Sequence, residues 1–293
     1  MYLRFYGWEG DQFTISDLLK PVREDRNVNV EELAYYARTR AGWLQTQYRV
    51  GGDLQLLKTF IAAGIPVMIE SSFYFDAPYW PNDDLWAAHY LLVTAYDDAE
   101  GTFNVQDTFR HPDRKMDYDT LDEYWRTFNR MYMLIYLPEQ EATVQSILGA
   151  QWDVDANRQS ALEIAQAEIE SNPQDAFAWF NLGTNLVYFE RYNDAAEAYD
   201  ETRELGLPQR MLRYQFGPFL AYFHAGRTEE LLTLTKYALQ RTPNSEEALL
   251  WRGWGRYRQG DSAGAIADFR AALESNPNSL DAQYALDYVT ENP

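Results

Sequence analysis

The spacing of hydrophobic and polar residues predicts two structurally different parts in this chain. In the first part, amphipathic helices are predicted at residues 14–19, 29–40 and 53–63. Apolar runs then predict strands at residues 65–70, 89–96, 102–107 and 131–137, with an irregular aromatic loop at 73–86. Helices followed by strands that can pair as an antiparallel sheet predict an α+β domain over residues 1–138.

The second part of the chain is built from sequence repeats. Gly226, Ala238 and Pro243 recur 34 residues later as Gly260, Ala272 and Pro277. This spacing, together with Trp179-x-x-Leu182-Gly183, resembles the tetratricopeptide (TPR) repeat. The resemblance implies an all-α solenoid over residues 142–293, in which pairs of helices stack on one another. We predict its repeats at 142–175 (degenerate), 176–209, 212–245 and 246–279, followed by a capping helix at 280–290.

Aromatic residues recur on the first helices of these repeats. They share one face at helical spacing, and they are Phe180, Tyr188, Phe216, Phe223, Trp254 and Tyr257. The TPR resemblance implies that this face lines a concave groove, which makes it a candidate peptide-binding surface. The alternative is that the six rings only pack against neighbouring helices or against the first part of the chain.

The composition restricts the possible partners. The formal net charge is −20 and both predicted parts are acidic, so nucleic acid and anionic membrane surfaces would be repelled. A peptide or protein segment that is basic or apolar is a suitable partner. No apolar run has the length of a membrane-spanning helix. The chain has no cysteine, which excludes disulfides and thiolate metal sites, and we find no motif for a metal or another cofactor.

A histidine and an aspartate on consecutive predicted strands are candidate catalytic residues. His89 begins the strand at 89–96 and Asp107 ends the strand at 102–107, so a hairpin can bring their side chains together. Such a pair forms the general base and its orienting group in nucleophilic hydrolases. The pair also needs a nucleophile for covalent catalysis. The opposing interpretation is that both residues have ordinary structural roles.

The first part of the chain also resembles a known peptidase family. The segments that carry the resemblance are Leu3-Arg4-Phe5-Tyr6-Gly7, Gly51-Gly52-Asp53-Leu54, Ala63-Gly64-Ile65-Pro66-Val67, His89-Tyr90-Leu91-Leu92-Val93-Thr94-Ala95-Tyr96-Asp97-Asp98 and Phe103-Asn104-Val105-Gln106-Asp107. In this order they are similar to the papain-like domain of the bacteriocin-processing, double-glycine-leader peptidases (cysteine peptidase family thirty-nine). The resemblance implies that His89 is the general base and Asp107 its orienter. It also places the family's cysteine nucleophile upstream of Met1, so we expect a papain-like domain that is incomplete at its N-terminus.

Three functions are compatible with these patterns. The first is a non-catalytic peptidase-like domain that acts with the TPR array to bind a peptide or protein segment. The second is an active cysteine endopeptidase whose N-terminal segment, with the catalytic cysteine, is missing from this chain. The third is a structural scaffold for assembly. The sequence leaves the compartment and the oligomeric state open, although the peptidase resemblance implies export or association with the cell envelope.

Overall fold

An antiparallel sheet forms the centre of the first part of the molecule. The computed structural model describes residues 1–22, 27–78 and 84–292. The strands within these ranges are β1 (Gln45–Arg49), β2 (Val67–Tyr74), β3 (Trp86–Asp97), β4 (Thr102–Gln106), β5 (Arg114–Asp117) and β6 (Tyr132–Tyr136). They lie in the order β1-β6-β2-β3-β4-β5, and every neighbouring pair is antiparallel.

Helices cover both faces of this sheet. One face packs against α1 (Tyr2–Phe5), α2 (Gln12–Leu19) and α3 (Val30–Arg40), and the other against α4 (Leu54–Ala62), α5 (Tyr118–Trp125) and α6 (Glu141–Leu148). Strand β6 is buried on both sides, because Met133 and Ile135 point to the first group of helices whereas Leu134 points to the second. A small antiparallel sheet is therefore enclosed between two helical layers.

Local sequence signals set the ends of several helices as predicted. Asn29 caps α3 in a capping box with Glu32, in which each side chain accepts a hydrogen bond of 2.9 Å from the other residue's backbone N–H. Gly64 follows α4 with a φ of +75°, a left-handed conformation that glycine adopts without strain. These ends follow from residues that are neighbours in the sequence.

The sequence prediction missed parts of the sheet layer. β1 and β5 are short, largely polar strands at the two edges of the sheet, so they lack the apolar runs that predict strands. The predicted loop at 73–86 is wrong at both ends, because Phe73 and Tyr74 continue β2 and Trp86 begins β3. Tyr79, Trp80 and Pro81 of that loop lie outside the described residues.

The second part of the molecule consists of TPR-like helical repeats. Its helices are α7 (Val154–Ser171), α8 (Ala176–Tyr188), α9 (Tyr192–Leu205), α10 (Met211–Tyr214), α11 (Gly217–His224), α12 (Thr228–Arg241), α13 (Glu246–Arg258), α14 (Ser262–Ser275) and α15 (Leu280–Glu291). None of the described helices is both long enough and apolar enough to cross a membrane. A Cβ atom on Gly183 would lie 2.7 Å from the ring of Tyr199, and one on Gly253 would lie 2.4 Å from the ring of Phe269. The glycine and the aromatic residue of each repeat fit one another, which explains why both recur at the same spacing.

The first helix of the third repeat is interrupted. α10 ends at Tyr214, and α11 begins at Gly217 with Pro218 in its first turn. Proline has no backbone N–H, so it suits the first turn of a helix but would break a continuous one. The interruption places Gln215 and Phe216 between two short helices, where both face a cleft.

The array packs directly against the sheet layer. Asn157 of α7 donates a hydrogen bond of 2.8 Å to the backbone oxygen of the residue that follows β1. The side-chain amides of Asn129 and Asn185 exchange hydrogen bonds of 2.8 and 3.3 Å. At the other end of the array, the buried ammonium of Lys20 lies 2.9 Å from the carboxylate of Glu246. The two predicted domains therefore share an interface, and their boundary at 138–142 stays a prediction.

Candidate functional site

His89 and Asp107 lie side by side in the structure. Asp107 comes directly after β4, and the antiparallel pairing of β3 with β4 brings it next to His89 of β3. The distance from His89 Nε2 to Asp107 Oδ1 is 3.1 Å. The structure thus brings together the two residues that the sequence predicted as a base and its orienter.

Backbone and guanidinium groups hold Asp107 in place. Its Oδ1 accepts hydrogen bonds of 2.9 and 3.0 Å from the backbone N–H groups of Phe109 and Arg110, and its Oδ2 lies 3.3 Å from Nη1 of Arg114. Burial would raise the pKa of this carboxyl, but the backbone N–H groups, His89 and Arg114 together lower it. Asp107 is therefore a carboxylate with a partner at each oxygen.

Nδ1, the other ring nitrogen of His89, is the one that could act as a base. Burial lowers the pKa of the imidazole, and the attraction of Asp107 offsets this only in part, so His89 is neutral at neutral pH. A carboxylate only accepts hydrogen bonds, so the proton is assigned to Nε2 and the lone pair to Nδ1. Nδ1 is buried and has no hydrogen-bond partner among the described residues. The ring of Phe73 packs edge-to-face against the imidazole, with the two ring centroids 4.6 Å apart.

This geometry can accept a proton from a nucleophile that reaches Nδ1. The chain contains no cysteine that could take that role. Among the described residues, no group of three or more His, Asp or Glu side chains is arranged to hold a metal ion. The catalytic roles of His89 and Asp107 stay predictions.

The six aromatic residues of the predicted groove fall in three separate places. Phe180 is 2% exposed and packs on Tyr199 with ring centroids 5.1 Å apart. Tyr188 and Phe216 line the cleft between the array and the sheet layer. The remaining three residues form a cluster near the end of the array, with Trp254 at 6.4 Å from Phe223 and 6.1 Å from Tyr257. Helical spacing alone did not distinguish these three environments.

The cleft is a cavity of about 340 Å³ between the two parts of the molecule. The sheet layer contributes its first wall through α3, β1, β2 and the segment before β6, and the array contributes the second through α7, α8, α10 and α11. Its apolar lining includes Val30, Val50, Met131, Val187 and Leu220. Its polar lining includes the side-chain amides of Asn29, Asn129 and Gln215. A cavity of this size and mixed lining has the properties of a ligand site.

Three charged residues line the cleft, Glu31, Glu70 and Arg158, and the sequence patterns singled out none of them. Glu70 of β2 is 5% exposed, and no described residue forms a hydrogen bond or ion pair with its carboxyl group. Burial, and secondarily the charge of Glu31, raise the pKa of Glu70 well above its usual value. Arg158 of α7 lies over the ring of Tyr188 at 5.0 Å, and burial lowers the pKa of its guanidinium. An acidic residue at the end of the apolar run 65–70 was the available sequence signal for Glu70.

Comparisons with known proteins give structural similarities only. No protein-family model and no curated protein match the chain. One similar solved structure is MamA of Desulfovibrio magneticus RS-1, with 12% identity, a TM-score of 0.43, and coverage of 53% of this chain and 82% of MamA. YrrB, a TPR protein with an unusual peptide-binding site, has 18% identity, a TM-score of 0.41, and coverage of 52% and 73%. A C39-like peptidase from Bacillus anthracis has 16% identity, a TM-score of 0.36, and coverage of 46% and 83%.

Proposed function

We propose that this chain binds a peptide or protein segment in the cleft between its sheet layer and its TPR-like array. The observation that carries the proposal is the cavity of about 340 Å³ whose walls come from both parts of the molecule. A segment that enters it contacts both walls at once, and the interface around the cleft keeps those walls in a fixed relation. Binding needs no covalent step, so it is compatible with a chain that has no cysteine.

The lining suits a polypeptide. Val187 and Leu220 on the array and Val30 on the sheet layer can cover an apolar side chain. The side-chain amide of Gln215 can pair with the backbone N–H and C=O groups of a bound segment, because an amide both donates and accepts. Tyr188 and Phe216, two residues of the predicted aromatic groove, add ring surface to the same cavity.

The test is a selection of linear peptides from a random phage-displayed library on the full chain, followed by affinity measurements on the selected peptides. We expect Phe216→Ala to weaken binding by roughly tenfold or more, since a buried aromatic contact is worth over 1 kcal/mol. Trp254→Ala is the matched control, because this ring packs on Phe269 and Tyr288 outside the cleft. It should cost stability without a loss of affinity in the folded protein.

Two results would count against the proposal. If the library yields no specific binder, the scaffold function becomes the better account. If Trp254→Ala weakens binding and Phe216→Ala does not, the binding surface is the aromatic cluster at the end of the array. Thermal unfolding of both variants separates a loss of contact from a loss of fold.

The His89 site favours a second function, cysteine-dependent peptide hydrolysis. The specific observation is that Asp107 holds His89 at Nε2 while Nδ1 keeps a free lone pair. Hydrolysis by this pair requires a thiol that the sequence does not contain. In this second hypothesis the thiol belongs to a segment upstream of Met1. A thiol-reactive peptide probe should then label the protein isolated from its own cells, and His89→Ala should abolish the labelling. An unlabelled protein would leave His89 and Asp107 with a structural role.

A further inference from the structure

We infer that the cleft recognises a basic side chain, a lysine or arginine of the bound segment, through the carboxylate of Glu70. The inference rests on the proposed function, because it names the chemistry of the segment that enters the same cavity. It depends on one observation above all: Glu70 faces the cleft from the middle of the sheet and has no partner among the described residues.

An unpartnered buried carboxyl is unusual in a folded protein. Buried acidic groups are almost always paired, since an isolated buried charge is expensive. Asp107, which is equally well buried in this chain, accepts hydrogen bonds at Oδ1, and its Oδ2, which has no hydrogen bond among the described residues, forms an ion pair of 3.3 Å with Arg114. Glu70 has only Tyr90 opposite it on β3, and the hydroxyl of Tyr90 is donated to the backbone oxygen of Val28 at 3.0 Å. The acceptor capacity of Glu70 is therefore open to a donor that comes from outside the chain.

The charges of the cleft favour a cationic donor. Its charged lining residues are Glu31, Glu70 and Arg158, so the lining has one negative charge in excess when Glu70 is ionised. The guanidinium of Arg158 interacts electrostatically with Tyr48 and Glu31 and stacks on the ring of Tyr188. The carboxyl group of Glu70 is therefore left without a positive charge to neutralise it. One ammonium or guanidinium group would neutralise the lining and donate charge-assisted hydrogen bonds to the carboxylate. The net charge of −20 also attracts basic segments to the protein.

Binding of a cation beside Glu70 can be detected through the release of the Glu70 carboxyl proton. The titratable groups around it in the cleft are Glu31 of α3, Tyr48 of β1, Tyr90 of β3, Arg158 of α7, Tyr188 of α8 and Tyr214 of α10. Burial raises the pKa of Tyr48 to about 12 and that of Tyr90 well above its usual value, so both phenols stay protonated near neutral pH. Burial raises the pKa of Glu70, and a cation beside its carboxyl group lowers that pKa again, so binding releases a proton at pH values between the two pKa values. Isothermal titration in buffers of different ionisation enthalpy, carried out at several pH values, measures this proton release.

The experiment uses the peptides selected on the full chain. We expect lysine or arginine to be enriched at one position of these peptides. Replacement of that residue by norleucine should weaken binding to the wild type by roughly tenfold to a hundredfold, as expected for a hydrogen bond to a charged group. Glu70→Gln, which keeps the shape of the side chain, should bind the basic peptide and its norleucine analogue about equally and should abolish proton release. Glu170→Gln makes the same substitution on an exposed part of α7 and should behave as the wild type.

The outcomes separate this inference from the proposed function. If no peptide binds, the proposed function fails. If peptides bind in the cleft without a basic preference, or if Glu70→Gln leaves the preference unchanged, the recognition by Glu70 is refuted and peptide binding stands. An enrichment of acidic residues would instead identify Arg158 as the recognition group and would also overturn the inference.

Discussion

Two buried carboxyl groups of this chain, Asp107 and Glu70, have opposite environments. They are 2% and 5% exposed, and both lie in the sheet layer. Asp107 accepts from two backbone N–H groups and from His89 and faces a guanidinium, so its pKa is lowered. Glu70 has none of these partners, and its pKa is raised. Burial alone therefore does not reveal the role of an acid; its partners do.

The difference also separates two regions of the molecule. The His89 site lies within β3, β4, β5 and the loop between β4 and β5, and its carboxylate has hydrogen bonds at Oδ1 and an ion pair with Arg114 at Oδ2. The cleft is formed only where the sheet layer meets the array, and its carboxyl group is not satisfied by the described residues. The first region orients an imidazole through its own contacts, whereas the second is the region in which we propose that a ligand binds.

The largest effect should come from the loss of the Asp107 carboxylate. Asp107→Ala leaves His89, Arg114 and two backbone N–H groups without their acceptor, and we expect it to lower the free energy of unfolding by about 3 kcal/mol. Urea denaturation measures the change. Glu123→Ala, at an exposed position of α5, is the control and should change stability by less than about 0.5 kcal/mol. Equal effects of the two substitutions would contradict the structural role of Asp107.

A smaller effect of opposite sign is expected at Glu70. A folded-state pKa that is raised contributes stability below the unfolded value of about 4.3, and this contribution is lost as the pH rises through the folded value. Glutamine does not titrate, so Glu70→Gln should gain about 1 kcal/mol over the wild type at neutral pH and less than that at acidic pH. Denaturation at both pH values tests the sign. A destabilised variant at neutral pH would show that Glu70 has a partner inside the protein.

The smallest effect is expected from the titration of His89. Burial lowers its pKa, so the stability that depends on neutral His89 is complete above about pH 6.5 and is lost as the pH falls through the lowered value. His89→Gln should therefore lose less stability than the wild type between neutral and mildly acidic pH, by up to about 1 kcal/mol. The exposed His111 provides the matched control, His111→Gln, which should follow the wild type. A steeper acid loss in His89→Gln than in the wild type is the contradicting result.

The sequence predicted what depends on local patterns. The repeats were visible because Gly183 with Tyr199 and Gly253 with Phe269 are fixed contacts within single helix pairs. The approach of His89 to Asp107 was visible because one hairpin connects them. In both cases the interacting residues are close in the sequence, so their spacing carries the information.

The cleft could not be predicted in the same way. Its walls combine residues from 29–31, 48–70, 128–131 and 158–220, which approach one another only when the array packs on the sheet layer. In the sequence, Glu70 is only the polar residue at the end of the predicted strand 65–70. Nothing in the sequence shows which side chains of the array will face it across the cleft. The helical spacing of Phe180, Tyr188 and Phe216 placed them on one face but did not show that Phe180 is covered by Tyr199.

The most direct test of peptide binding in the cleft uses the absence of cysteine from this chain. Gln215→Cys introduces a single thiol on the cleft wall, and Gln166→Cys introduces one at an exposed position of α7. Both variants are assayed with a selected peptide before and after alkylation with a bulky maleimide. If the cleft is the binding site, alkylation at position 215 reduces the affinity by at least about tenfold and alkylation at position 166 does not. Unchanged affinity after complete alkylation of Gln215→Cys would contradict the account.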